Sequence, residues 1–286
     1  MTPDREMLLF ALLLFKVQRT PSAIDSYLRE HGFEQMEELA SSLTSEEMDE
    51  LHEKADDLIS RDIYAVMRGM PEYPETLTHK GKCFAPVLFC YGNVKLLRTE
   101  GVGMCGSRSV SDLGLKAATA CGEEVSNRGL SVISGYAKGV DTATHLAALR
   151  SGGSTVIVLA EGFDHFRVKR VFADEFDLAR IIVISQFAPT QPWLAHAAMT
   201  RNRIIFGLGR ALVVVEAGEK GGTLAAGEGA IRLGRPVFVL NFGTETPAGN
   251  RMLLSKGGFS VDSRESLGNT LDHRPPQVPD QMSLPI

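Results

Sequence analysis

Two periodicities divide the chain. Over the first 70 residues apolar positions recur at helical spacing: Leu8, Leu12 and Phe15, then Ile24, Tyr27 and Leu28, then Leu39 and Leu43, then Met48, Leu51 and Leu58. The pattern predicts three or four short helices in a module over residues 1–70. Pro21 and Ser45-Glu46-Glu47 read as helix starts, and Gly32 as a stop. Residues 71–95 read as a connector, because Pro71, Pro74, Gly81 and Pro86 interrupt any long periodic element.

From Val102 to Val261 the pattern changes to short apolar runs alternating with amphipathic stretches. Runs at 102–105, 130–133, 155–159, 181–184, 211–215 and 236–240 predict strands. Stretches at 113–128, 142–151, 195–206 and 224–233 predict helices. Such alternation builds a parallel sheet covered on both faces, because right-handed crossovers place a helix between successive parallel strands. The expected class is α/β: an extended Rossmann-like parallel sheet over residues 96–265, with a small N-terminal all-helical domain. Residues 266–286 carry Pro275, Pro276, Pro279 and Pro285 and little to bury, so a disordered tail is expected there.

Length and composition narrow the class. At 286 residues, 44% hydrophobic and 23% charged, the chain can bury a full core and is not disordered throughout. The apolar stretch Met7–Phe15 is far shorter than the roughly 20 residues that span a bilayer. It follows Asp4-Arg5-Glu6 rather than a basic segment, so a cytoplasmic protein with no membrane partner is expected. Cys83, Cys90, Cys105 and Cys121 form no CxxC pair and have no histidine at metal-finger spacing. They read as reduced thiols, and neither metal nor cofactor is expected. Thirty basic against 35 acidic residues give a formal charge of -5. A polyanion site must therefore be a local concentration of Arg and Lys.

In an open α/β sheet, ligands bind beyond the carboxyl ends of the strands, where glycine-rich turns and helix N-termini present backbone N–H groups. Three predicted strand ends carry such turns. The first is Gly106-Ser107-Arg108-Ser109. The second runs from Ser134 and Gly135 through Lys138 and Gly139 to Asp141, with His145 one helical turn later. The third is Lys220-Gly221-Gly222-Thr223. Asp141 would repel phosphate and is assigned a structural role at the following helix, and His145 a capping or packing hydrogen bond rather than catalysis. Arg201-Asn202-Arg203 lies on a predicted helix, where residues two apart point about 200° from each other. The two arginines therefore cannot face one ligand, and one of them is expected in a salt bridge.

Two nucleotide motifs fail. Gly101, Gly103 and Gly106 match GxGxxG literally, but they lie in a strand and at its end instead of between strand and helix, which excludes dinucleotide binding by that fingerprint. No lysine precedes Ser or Thr, so a Walker A loop is absent. No catalytic constellation is recognised, and no enzyme activity is expected.

From Tyr73 to Gly258 the chain resembles the DNA-processing protein DprA (Smf) family. The marks are Tyr73-Pro74 with Leu77, Pro86-Val87-Leu88-Phe89 with Gly92, Gly106-Ser107-Arg108, Ser134-Gly135 through Lys138-Gly139-Val140-Asp141 to His145, Gly152-Gly153 with Thr155, Arg201-Asn202-Arg203, Gly221-Gly222-Thr223-Leu224 and Gly249-Asn250. The resemblance implies single-stranded DNA held in a basic pocket, a homodimer, and a RecA-type recombinase as partner. It implies that Arg108 and Lys138 contact phosphates, that Arg201 and Arg203 line or support the pocket, and that amides near Ser107, Gly135 and Gly222 add contacts blind to sequence. Ala198-Met199 stands where the family usually has Phe-Pro, leaving Phe187 or Trp193 as candidates for base stacking. Gln186 replaces a common acid, Ala225-Ala226 a polar turn, and Asn241 a proline. The family's winged-helix-like C-terminal domain has no counterpart in this sequence. These departures place the chain on a divergent branch, such as one serving a mobile element or a defence module. Alternatives on the same fold are a nucleotide-binding sensor, a regulator or antitoxin, and a nucleotide hydrolase. For the hydrolase, Gly221-Gly222-Thr223 lacks the intervening glycine of a GGxGTxxE loop, and its acid, Glu228, stands too far along.

Overall fold

The computed structural model describes residues 4–273. They divide into two compact units: one takes the described residues up to Arg98 with Leu159–Arg167 and Asp177–Leu194, the other Thr99–Val158, Val168–Phe176 and the described residues from Ala195 onward.

The first unit starts with four helices: α1 (Arg5–Gln18), α2 (Pro21–His31), α3 (Met36–Ser41) and α4 (Ser45–Ser60). Their ends follow from local chemistry. Asp4 caps α1 by accepting from the N–H groups of Glu6 and Met7, and Thr20 caps α2 ahead of Pro21. Gly32 ends α2 at a φ of 61°. Thr44 and Glu47 form a reciprocal capping box on α4. Seven consecutive residues of α1, Leu8 to Leu14, are buried, so α1 is the helix the others wrap.

The chain continues through β1 (Tyr64–Met67), the short hairpin β2 (Thr78–His79) and β3 (Lys82–Cys83), and β4 (Val87–Gly92). β4 pairs antiparallel with β1, Phe89 opposite Ala65. The expected connector thus holds three strands. Pro71 and Pro74 precede these strands and Pro86 lies between β3 and β4, where the buried run Val87–Cys90 starts a strand at once.

The second unit contains β5 (Gly101–Cys105), α5 (Asp112–Asn127), β6 (Ser131–Ser134), α6 (Val140–Arg150) and β7 (Thr155–Val158). β8 (Ile181–Ser185) returns to the first unit, where it pairs antiparallel with β4. The second unit resumes with α7 (Ala195–Leu208), β9 (Leu212–Val214), α8 (Gly222–Arg232), β10 (Val237–Leu240), α9 (Ala248–Ser255), β11 (Phe259–Val261) and α10 (Arg264–Asp272). Its strands run β7-β6-β5-β9-β10-β11, all parallel, with Gly103 between Ile133 and Leu212. Renumbered within the unit this is the order 3-2-1-4-5-6 of a doubly wound sheet, whose strand order reverses between β5 and β9. α5, α6 and α10 pack together as one group, and α7, α8 and α9 as another.

Glycines in β5 serve packing. A Cβ on Gly101 would come within 2.7 Å of Ile133, and one on Gly103 within 3.0 Å of the Ile205 carbonyl. The literal GxGxxG match is therefore a record of close strand and helix packing.

The core does not end at residue 265. Ser263 caps α10, and Leu267 and Leu271 are buried against Val125, Phe238 and Val261. Glu124 on α5 accepts from Arg128 at 2.5 Å and from Arg264 at 2.6 Å, and Arg128 also pairs with Asp272. Residues 266–272 of the expected tail are thus an ordered helix, signalled by one apolar i, i+4 pair that the following prolines overshadow. The rest of that tail lies outside the described residues. All four cysteines are free and buried. No described helix is long and apolar enough to cross a membrane.

Candidate functional site

The strand reversal between β5 and β9 sets where a ligand meets the second unit, and three loops crowd there. The first, after β5, starts at Gly106. Ser107 Oγ accepts from the Ser109 N–H at 3.1 Å, Arg108 is exposed, and Ser111 caps α5 through a 3.0 Å bond from Gly114 N–H. Glu216, beyond β9, accepts from the Ser111 N–H at 3.0 Å. Gly114 makes that approach feasible, since a Cβ there would lie 2.2 Å from Glu216 Oε2.

The second loop follows β6. Ser134 is buried and donates its hydroxyl to Met104 O at 2.8 Å, so it shapes the loop and presents nothing to solvent. Asp141 Oδ2 accepts from the Ala137 N–H at 3.1 Å, and the N-cap of α6 is Gly139. The carboxylate therefore braces the preceding turn rather than capping the helix. His145 is fully buried, its Nε2 2.7 Å from Gly135 O and its Nδ1 2.5 Å from Thr155 Oγ1. Burial pushes its pKa down to about 4. Both ring nitrogens are taken up inside the fold, Nε2 by Gly135 O and Nδ1 by Thr155 Oγ1, so neither is open to a substrate. Gly135 has no room for a side chain: a Cβ would meet Arg201 Nη1 at 1.8 Å and Asp141 Oδ2 at 2.4 Å.

The third loop follows β9. Asn250, wholly buried, donates to Val215 O and Leu240 O and accepts from the Ala217 N–H at 2.8 Å. Gly249 packs so closely that a Cβ would lie 2.2 Å from Gly218 O. The loop ends at Gly221, which starts α8 at a φ of 112° with no side-chain cap. The first amides of α8 and its dipole therefore point outward, a disposition suited to an anion.

Hydrogen bonds join the loops. Val140 N–H donates to Ser107 O at 3.2 Å, and Gly139, at a φ of 79°, lies where a Cβ would be 2.4 Å from the same oxygen. Thr223 Oγ1 donates to Gly106 O at 3.0 Å, and Asn202 Nδ2 on α7 donates to Gly222 O at 3.2 Å.

Cations surround this edge. Arg108, Lys138, Arg203 and Lys220 are exposed. Lys138, Arg203 and Lys220 form no ion pair among the described residues. Arg201 is buried and donates to Val158 O at 3.1 Å, so it stands behind Gly135 as a support. The expected salt bridge thus does not fall to Arg203. Lys169, absent from the sequence expectations, belongs here too. Its ammonium donates to Tyr136 O and lies 4.1 Å from the Tyr136 ring centroid, and its N–H donates to the Tyr136 hydroxyl at 2.8 Å. Nothing in its local sequence signals this, because the segment between β7 and β8 has no periodicity to place it.

Phe187 and Trp193 belong to the first unit. Phe187 is half-buried with its N–H on Ser185 Oγ, and Trp193 is 48% exposed. Neither enters the bonds that join the three loops.

A protein-family model described as DNA recombination-mediator protein A matches residues 65–272. The DNA processing protein DprA of Streptococcus pneumoniae is 39% identical over 158 residues, 54% of this chain and 56% of that protein. DprA of Bacillus subtilis is 31% identical over 193 residues, 66% and 65% of the two chains. Protein Smf of Escherichia coli is 32% identical over 201 residues, 68% and 53%. The chain thus spans between half and two thirds of the length of these curated relatives. Among solved structures, the X-ray structure of DprA from Streptococcus pneumoniae superposes with a TM-score of 0.71 at 26% identity, covering 94% of this chain and 99% of the other. DNA processing protein A from Helicobacter pylori, solved for its single-stranded DNA binding mode, shares the fold with a TM-score of 0.63 at 21% identity, over 73% and 95%.

Proposed function

The chain belongs to the DNA recombination-mediator protein A family, and from that premise we propose that it binds single-stranded DNA by its phosphates at the three-loop edge. One observation carries the reading. The loops are locked to one another through Ser107 and Gly106, α7 is tied to the third at Gly222, and Lys138, Arg203 and Lys220 beside them have no carboxylate partner among the described residues. Arg108, Lys138, Lys220 and Arg203 supply charge. Ser107, Gly221 and Gly222 supply backbone for close approach, Gly135 and Gly139 let the second loop pack on Arg201 and Ser107, and Asn202 and Thr223 hold α7 and α8 against the loops. Phosphate contacts of this type fix the strand's path without reading its bases.

The chain acts as a binding protein rather than a catalyst, since His145 and Asp141 are committed to the second loop's own backbone. It works in the cytoplasm as a homodimer, handing DNA to a RecA-type recombinase. The dimer is supported by an apolar groove of about 320 Å³ between α5, the ends of β10 and β11, and α10. Leu113 at its rim and neighbouring Leu115 are 44% and 43% exposed.

Fluorescence anisotropy with a short oligo-dT at moderate salt tests the reading. Wild-type protein binds, and replacing Arg108 and Lys138 together with Ala abolishes binding; undiminished binding by the double variant removes the proposed site.

A further inference from the structure

In a doubly wound sheet a nucleotide's pyrophosphate rests in the crevice where strand order reverses, against the amino-terminus of the helix that follows the central strand. In this chain the strand is β5, the helix is α5, and the crevice opens between the ends of β5 and β9. Glu216 lies there. Val215, the residue before it, donates its N–H to Cys105 O at 3.0 Å, which sets Glu216 beside the end of β5. One carboxylate oxygen, Oε2, takes both donors of Ser111, the N–H at 3.0 Å and the hydroxyl at 3.4 Å. Ser111 is the N-cap of α5 and accepts in turn from Gly114 N–H, so the carboxylate ends a chain of donors that runs into the first turn. Asp112, exposed in that turn, adds a second negative charge. The other helix starts at this edge differ. Asp141, in the first turn of α6, is committed to the Ala137 N–H. The first turn of α8 has neither an acidic residue nor a side-chain cap, and Lys220 is exposed just before it. One helix start is filled by the protein's own anion, and one is open.

We propose that Glu216 determines the specificity of this site: its carboxylate holds the phosphate position at the start of α5 and keeps out compact phosphate ligands of the nucleoside diphosphate class. A carboxylate and a phosphate ester compete for the same donors and the same end of the helix dipole, so the first excludes the second. A diphosphate concentrates its charge at one point and needs that position. A strand carries one charge per nucleotide, spreads its phosphates over the cations of the edge and passes the filled position by. The inference rests on the phosphate-binding reading above.

The test compares wild type, Glu216→Gln, Glu216→Ala and Glu219→Gln on two ligands, inorganic pyrophosphate by calorimetric titration and oligo-dT by anisotropy. Glutamine at 216 keeps an acceptor for Ser111 and removes the charge. Glu219 is exposed three residues further along the same loop, so replacing it removes an equal formal charge without touching α5. Both Glu216 variants gain about 10-fold in pyrophosphate affinity at low salt, and their preference for oligo-dT over pyrophosphate narrows accordingly. The gain shrinks as salt rises. Glu219→Gln stays within about 3-fold of wild type on pyrophosphate, the scale of a screened surface charge. Pyrophosphate affinity of Glu216→Gln at or below the wild-type level, an equal gain in Glu219→Gln, an equal gain on both ligands, or failure of both Glu216 variants to fold overturns the inference while leaving the strand site standing. Failure of the wild-type protein to hold oligo-dT at low salt overturns the phosphate-binding reading itself.

Discussion

Thr223 Oγ1 donates to the Gly106 carbonyl at 3.0 Å, tying the first turn of α8 to the end of β5 across the point where strand order reverses. Replacing Thr223 with Val keeps the shape and removes the donor. A hydrogen bond of this kind contributes about 1 kcal/mol, so Thr223→Val loses about that much in chemical denaturation. Oligo-dT affinity falls with it while its salt dependence stays as in wild type, because no cation is lost. Unchanged affinity would separate this bond from the site.

Gly139 is a tight joint between the first two loops. Its φ of 79° and the 2.4 Å approach of a Cβ to Ser107 O leave alanine nowhere to go. Gly139→Ala should destabilise by more than about 1 kcal/mol and displace Arg108 and Lys138 from each other, so DNA binding falls much more than stability. At Gly221 the φ of 112° is also unfavourable, but a Cβ would meet nothing within 4 Å. Gly221→Ala therefore keeps most of its binding. Parallel thermal melts and anisotropy titrations distinguish the two.

His145 makes stability depend on pH. Its pKa is about 4 in the folded chain, depressed by burial, against roughly 6.5 in an unfolded chain. Between these values the unfolded state binds more protons, so stability is fully present above about pH 6.5 and is lost as pH falls toward 4. The full effect is on the order of a few kcal/mol. His145→Gln should flatten this limb of the pH–stability curve, whereas an unaltered slope would assign the acid sensitivity to other groups.

Leu267 decides whether α10 is core or appendage. It is 1% exposed within the main apolar cluster, and truncating such a leucine costs about 2 to 5 kcal/mol. Leu267→Ala is expected to lower stability by that amount in urea denaturation. A loss under about 0.5 kcal/mol, the range of exposed positions, would return the helix to the category of a dispensable tail.

The parts that were legible in the sequence are those set by local chemistry. Pro21, Ser45 to Glu47 and Gly32 mark helix ends by capping and backbone preference, and β5, β6, β9 and β10 read as uninterrupted apolar runs because both their faces are covered. The three glycine-rich turns were legible for the same reason, since each follows such a run. Long-range partners were not. β4 was hidden behind its prolines because its pairing with β1 and β8 joins segments far apart in sequence. Lys169 owes its place to Tyr136, 33 residues earlier, and Glu216 to Ser111, 105 residues earlier. Asn250 stood out as a motif residue, but its three hydrogen bonds to the backbone around the third loop become evident only in the fold.

The central claim is that Lys138, Arg203 and Lys220 neutralise DNA phosphates together at one edge of the sheet. Its most direct measurement is the slope of log affinity against log salt for oligo-dT, in wild type and in the Lys138→Ala, Arg203→Ala, Lys220→Ala triple variant. Each phosphate neutralised on a single strand contributes about 0.7 to that slope, so the triple variant is expected to show a slope shallower by about 2. Parallel lines for the two proteins, whatever their separation, would mean that these three cations do not meet the DNA and would contradict the account.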